Sequence, residues 1–195
     1  MKAARIGLLS ILALFGLAAS SMAQSAPTPA FGAFAGVNQS YFATQPKNPT
    51  NAKQGFVVGA FGVLRRERAI KIQPELQITQ RKVEASLANV FQTSLTTYAS
   101  LGLLLRTNLF KGIYSTQGAQ LMFPVVSTLD INGVKLDLKD NVNQDVTLIV
   151  GLGRQFGRIG IEGRWDSGFK AIEKAPIGNF VKRNRAITVI GIVAF

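Results

Sequence analysis

Ala186-Ile-Thr-Val-Ile-Gly-Ile-Val-Ala-Phe195 is apolar throughout, rich in β-branched residues and ends on an aromatic ring. A strand that crosses a bilayer needs about 9 to 11 residues, and this stretch has that length and chemistry. It predicts a strand facing hydrocarbon on at least one side.

At the other end, Lys2 and Arg5 form a positive region, Ile6 to Ala19 an apolar one, and Ser21-Met22-Ala23 a small-x-small cleavage site. The apolar run of about 14 residues is shorter than the roughly 20 of a membrane-spanning helix. Segment 1–23 is therefore expected to be a removed signal peptide, followed by a short linker at 24–30 and one domain over 31–195. No second helical span follows. Cysteine is absent, which excludes a lipoprotein signal and a disulfide-stapled fold. An export signal combined with an aromatic-ended terminal strand predicts a β-barrel in the outer membrane of a Gram-negative-type bacterium. Phe195 is its expected assembly signal, read by the barrel assembly machinery.

The chain carries 22 basic and 10 acidic residues, and loss of Lys2 and Arg5 leaves 20 against 10. Such a balance fits nucleic acid. Export excludes that partner and favours the anionic groups of outer-membrane lipids, lipopolysaccharide included, where each surface cation gains about 1 kcal/mol.

Eight strand-like segments are predicted near 31–40, 54–64, 69–80, 94–105, 112–123, 144–156, 158–169 and 184–195. The connections alternate: long at 41–53, 81–93, 124–143 and 170–183, short at 65–68, 106–111 and 157. With both termini periplasmic, long links fall outside the cell and short ones inside, the outer-membrane pattern. The expected fold is all-β: an eight-stranded antiparallel up-and-down transmembrane β-barrel.

Period-two alternation is clearest in the third and seventh segments. Ile70, Ile72, Pro74, Leu76 and Ile78 share one face, while Lys71, Gln73, Glu75, Gln77 and Thr79 share the other. In the seventh, Glu162, Arg164 and Asp166 fall on one face against Ile159, Ile161 and Trp165. The polar faces are assigned to a narrow lumen, where Lys71, Glu75, Glu162, Arg164 and Asp166 should form a charge network with Glu75 meeting Arg164 across it. Pro74 lacks a donor, so a bulge or local irregularity is expected there. The second, fourth and eighth segments are apolar on both faces, which keeps a packed soluble barrel open.

The glycine-aromatic stretch Phe31-Gly-Ala-Phe-Ala-Gly36, Pro74-Glu75-Leu76, Gly118 after Tyr114, Gly151-Leu-Gly153 after Asp145, Glu162-Gly-Arg-Trp165 to Gly168-Phe169 and the terminal Phe195 occur in an order that resembles the PorT-like outer-membrane β-barrel family. The resemblance spans essentially the whole mature chain. It implies the small eight-stranded barrel of Bacteroidetes type and its location, not an activity. Trp165 stands where such barrels often carry Tyr.

Histidine is absent, removing the usual general base and the commonest metal ligand. No serine sits in a G-x-S-x-G setting, so no enzyme and no cofactor are expected. Gly151-x-Gly153 with Gly157 lacks the following helix that a phosphate loop requires and reads as strand glycine in a curved barrel. Asp130, Asp137 and Asp140 offer oxygen to calcium. Their spacing matches no calcium loop, and Asn132-Gly133 between two apolar runs reads better as a type I′ hairpin turn in an extracellular hairpin, with no metal.

Two function classes follow. One is a monomeric outer-membrane barrel with a plugged polar interior, serving envelope structure or surface interaction through its loops. The other is a soluble periplasmic or secreted barrel binding an apolar ligand. The family resemblance adds a third, an accessory part of a secretion apparatus.

Overall fold

The computed structural model describes residues 30–45, 50–66, 68–87, 90–172 and 181–195. The expected signal peptide and all of the linker but Ala30 lie outside the described residues. Among the described residues nine strands are present: β1 Phe31–Gln45, β2 Thr50–Gly62, β3 Ile70–Leu87, β4 Val90–Phe110, β5 Ile113–Ile131, β6 Val134–Asp137, β7 Asp145–Phe156, β8 Ile159–Gly168 and β9 Val181–Ala194. All but β6 form the wall. Each wall strand pairs antiparallel with its sequence neighbours, and β1 pairs with β9 from Gly32↔Ala194 to Gln45↔Val181. The result is a closed eight-stranded up-and-down barrel. Closure of the wall by β1 and β9 removes the open edge that a lipid environment would not tolerate, and the edge strand β6 belongs to the hairpin beyond it.

The turns follow local chemistry. Lys111 and Gly112 both have positive φ, as do Asn132 and Gly133, the signature of two-residue type I′ hairpins. Gly157 alone is positive in the Gly157-Arg158 corner, the pattern of a type II′ turn. The turns at 111–112 and 157–158 share one end of the barrel with the 63–69 link and with Phe31 and Phe195. The hairpin of β5 and β6 lies at the other end, where Ile131 pairs with Val134.

Two expectations about the links are corrected. The links assigned to 41–53 and 81–93 are mostly strand: β1 runs to Gln45, β2 starts at Thr50, and β3 and β4 pair through Leu87↔Val90. Strands of 18 and 21 residues exceed the ~11 a membrane needs. The surplus of the longer one amounts to roughly 30 Å of chain standing beyond the apolar layer. The 106–111 link is also strand, since β4 continues to Phe110. At Pro74 the irregularity is a ladder break and not a bulge: the β3–β4 register is unbroken through Pro74↔Leu103. On its other side the β2–β3 ladder stops at Phe61↔Glu75 and touches again only at Leu64↔Ile72. The proline that cannot donate thus lies where no partner is required. A register shift occurs instead beside Pro124, where Thr97 pairs with Val126 and Tyr98 with Pro124, leaving Val125 over.

Candidate functional site

Alternation along β3 turns Lys71, Gln73, Glu75, Gln77, Thr79 and Arg81 into the barrel, all buried, while Leu76 and Ile78 stand 60% and 49% exposed outside. The same period in β8 buries Glu162, Arg164 and Asp166. These strands sit on opposite sides of the wall and face one another across the lumen.

Arg164 is the centre. Its Nη1 and Nη2 each donate at 2.7 Å to one oxygen of Glu75, a bidentate pair, and its Nε donates at 2.8 Å to Glu162 Oε1. Both carboxylates accept further bonds. Gln73 donates to Glu75 Oε1 at 2.8 Å, Tyr114 to Glu162 Oε2 at 2.9 Å and Thr116 to Glu162 Oε1 at 2.6 Å. Towards the long-strand end Arg81 reaches Asp166 Oδ2 at 3.2 Å, where Thr188 also donates. At that mouth Asp145 accepts from Asn184 and from the backbone of Lys170.

Lys71 does not join this network: none of the four salt bridges among the described residues includes it. The lumen also holds Arg81, Arg106 and Asp145, which sequence reading left unassigned. Arg81 continues the β3 alternation two residues past Thr79, and Arg106 lies in the segment read as a link. Asp145 shares the phase of Gly151 and Gly153, a signal available from counting. Four buried cations (Lys71, Arg81, Arg106, Arg164) therefore oppose four buried carboxylates (Glu75, Asp145, Glu162, Asp166).

Gly151 and Gly153 gain a reason here. A Cβ at Gly151 would meet Thr116 Oγ1 and Glu162 Oε1, and one at Gly153 would strike the Tyr114 ring. Both glycines make room for lumen side chains, consistent with their reading as strand glycine. Between Gln77, Thr79, Arg164, Asp166 and Thr188 the free space is about 10 Å³, room for roughly one water molecule. The apolar cluster of Phe34, Phe61, Val63, Tyr114, Ile190 and Ile192 fills the lumen towards the short-turn end.

The three loop aspartates do not converge. Asp130 accepts from Gly133 N at 2.8 Å and Asp137 from Lys139 N at 2.9 Å, both shaping the hairpin and its exit.

Outside, the pattern inverts. Val37, Leu76, Ile78, Leu101, Leu103, Leu121, Leu152, Ile161 and Ile187 are all exposed. At the short-turn end Phe31, Phe110, Phe156 and Phe195 form an exposed aromatic girdle, with Phe31 stacked on Phe195 at 5.7 Å. Lys111 lies over the Phe110 ring and Arg154 over the Phe156 ring.

A closed eight-stranded antiparallel barrel, polar inside and apolar outside with an aromatic rim, is an outer-membrane β-barrel. The Neisserial surface protein A structure is similar in fold: TM-score 0.55, 11% identity, covering 85% of this chain and 97% of that one. The attachment invasion locus protein Ail of Yersinia pestis aligns with TM-score 0.44 and 13% identity, covering 84% of this chain and 98% of that one. No protein-family model matches the chain, and no protein of curated function matches it.

Proposed function

We propose that this chain is an integral, monomeric, non-enzymatic protein of the bacterial outer membrane whose lumen is a brace and whose long-strand end carries its function as a surface for interaction. The observation that carries the reading is the inversion of the barrel: balanced charges buried inside, large aliphatic side chains exposed outside. An apolar-ligand carrier in water needs the reverse, an apolar cavity and a polar exterior. Conduction of solutes has no support from a lumen crossed at mid-height by the Glu75–Arg164 pair, with about 10 Å³ of free space beside it.

In this reading residues 1–23 direct export, the barrel assembly machinery inserts the chain, and both termini and the short turns face the periplasm. Membrane lipids, lipopolysaccharide among them, surround it. The small-barrel kinship to the PorT-like family belongs to the same proposal, resting on the sequence resemblance alone. The surface role is supported by the length of β3 and β4 and by the β5–β6 hairpin at the same end.

The test is fractionation combined with heat-modifiable migration on a detergent gel and surface labelling of an epitope inserted between Asn132 and Gly133. Outer-membrane recovery, a mobility shift on boiling and labelling on intact cells are expected. Recovery in the soluble periplasm overturns the reading, and labelling only after lysis overturns the orientation.

A further inference from the structure

Lys71 and Arg106 are direct cross-strand partners on β3 and β4, and both side chains point inward near the short-turn mouth of the lumen. They are 3% and 2% exposed. Like charges placed directly opposite on one sheet face repel, and around the Arg106 guanidinium burial removes the water that would screen them. None of the salt bridges among the described residues includes either cation.

The nearby carboxylates are already engaged. Glu75 and Glu162 accept from Arg164, Gln73, Tyr114 and Thr116. Arg106 lies flat on the Tyr114 ring at 3.5 Å, which fixes its plane, and gives Nη2 to Gln155 at 3.5 Å. Its Nε and Nη1 are buried with no partner. One edge of a guanidinium held rigid by stacking, with a lysine opposite, presents a donor set that a tetrahedral oxyanion matches.

We infer that the short-turn mouth of the lumen holds a small-oxyanion site, built from Lys71 and the Nε/Nη1 edge of Arg106, which takes a phosphate-type anion. The anion supplies a direct ionic partner, which none of the salt bridges among the described residues gives either cation. Both cations point into the barrel and not towards its apolar exterior, so free anion is expected in preference to a lipid headgroup carrying the same chemistry. The site rests on the fold alone, so it stands or falls independently of the surface role.

Purified full-length mature protein, folded in a phosphate-free zwitterionic detergent, is titrated with inorganic phosphate at constant ionic strength, and binding is followed by ³¹P line broadening. Saturable binding of one phosphate per barrel is expected, weakened at least tenfold in K71Q and in R106K and unchanged in K53Q, a control on the exposed surface. A short-chain phosphatidylglycerol added below its micelle concentration should compete poorly; competition as strong as that of phosphate would overturn the preference for free anion. Absence of saturable binding to the wild-type protein, or equal binding by K71Q, overturns the site. K71Q also removes one member of a repelling pair, so in phosphate-free buffer its unfolding midpoint should equal or exceed that of the wild type. A lower midpoint would show that the pair needs no counter-ion.

Discussion

Arg164 holds two carboxylates, whereas Glu75 holds one cation, and this asymmetry makes a quantitative prediction. The three side chains are 3%, 1% and 0% exposed for Arg164, Glu75 and Glu162. Removing one partner of a buried pair costs about 3 to 5 kcal/mol because the survivor remains desolvated. In E75Q, Arg164 keeps Glu162 at 2.8 Å, and the new amide oxygen still accepts one bond, so the loss should sit near 3 kcal/mol. In R164Q both Glu75 and Glu162 lose their cation, and the loss should reach about 5 kcal/mol. The double variant leaves only Glu162 without its cation, still held by Tyr114 and Thr116. Its loss should fall short of the sum of the singles by about 1 to 3 kcal/mol, the coupling expected for contacting groups. Trp165 is the sole tryptophan and stands between Arg164 and Asp166 with the opposite facing, so its fluorescence reports unfolding in urea from lipid vesicles. Strict additivity, or an R164Q no less stable than E75Q, would refute the network described around Arg164.

Leu103, 60% exposed at the middle of β4, should lose about 2 to 4 kcal/mol of stability in bilayers when changed to Arg, while the same change in a water-facing position would cost little. Phe195→Ser removes the stacking partner of Phe31 at the β9–β1 seam, so the fraction of synthesised chains that become heat-modifiable should drop, whereas the folded remainder should lose only about 1 kcal/mol from the missing aromatic pair. Gly153→Ala places a methyl against the Tyr114 ring and should cost about 1 to 3 kcal/mol in urea unfolding; restoration by the additional change Tyr114→Phe would show that the hydroxyl is the colliding group, and by Tyr114→Leu that the ring is.

Legibility in the sequence tracked the alternation of side chains. β3 and β8 read cleanly because one face is charged and the other aliphatic, and there a period of two fixes the facing of every residue. β9 was found from the opposite property, an unbroken apolar run, because its inward positions Ile190, Ile192 and Ala194 line the apolar part of the lumen. Strand ends were harder to see. Residues such as Arg81, Lys82, Glu84 and Thr93 resemble loop, yet the ladder continues through them, since a strand beyond the lipid can carry polar groups on both faces. Arg106 was hidden the same way: a polar residue beside a turn carries no sign that it points inward. Beyond the Glu75–Arg164 contact expected from the facing of the two strands, which carboxylate meets which cation depends on shear across the wall, and period-two reading of single strands does not contain that.

The partition of charge ties these features together. Among the described residues the buried set is balanced, four against four, so their excess of cations over anions lies outside the lumen. At the short-turn end Arg65, Arg66, Arg68, Lys111, Arg154 and Arg158 are exposed, with no acidic residue among the described ones there. At the long-strand end Lys53, Lys135, Lys139, Lys170 and Arg183 are mixed with Glu84, Asp130, Asp137 and Asp140, and Lys53 pairs with Glu84 at 2.9 Å. The two rims therefore present different chemistry. A predominantly basic rim beside an aromatic girdle matches a layer of phosphate headgroups, where each cation contributes about 1 kcal/mol regardless of the identity of its neighbour. A mixed surface on strands that outrun the membrane discriminates, because opposite charges in fixed positions reward only a partner with the complementary arrangement. In the proposed reading, anchoring therefore falls to the short-turn rim and recognition to the long-strand rim, with the charge-braced lumen holding the two apart.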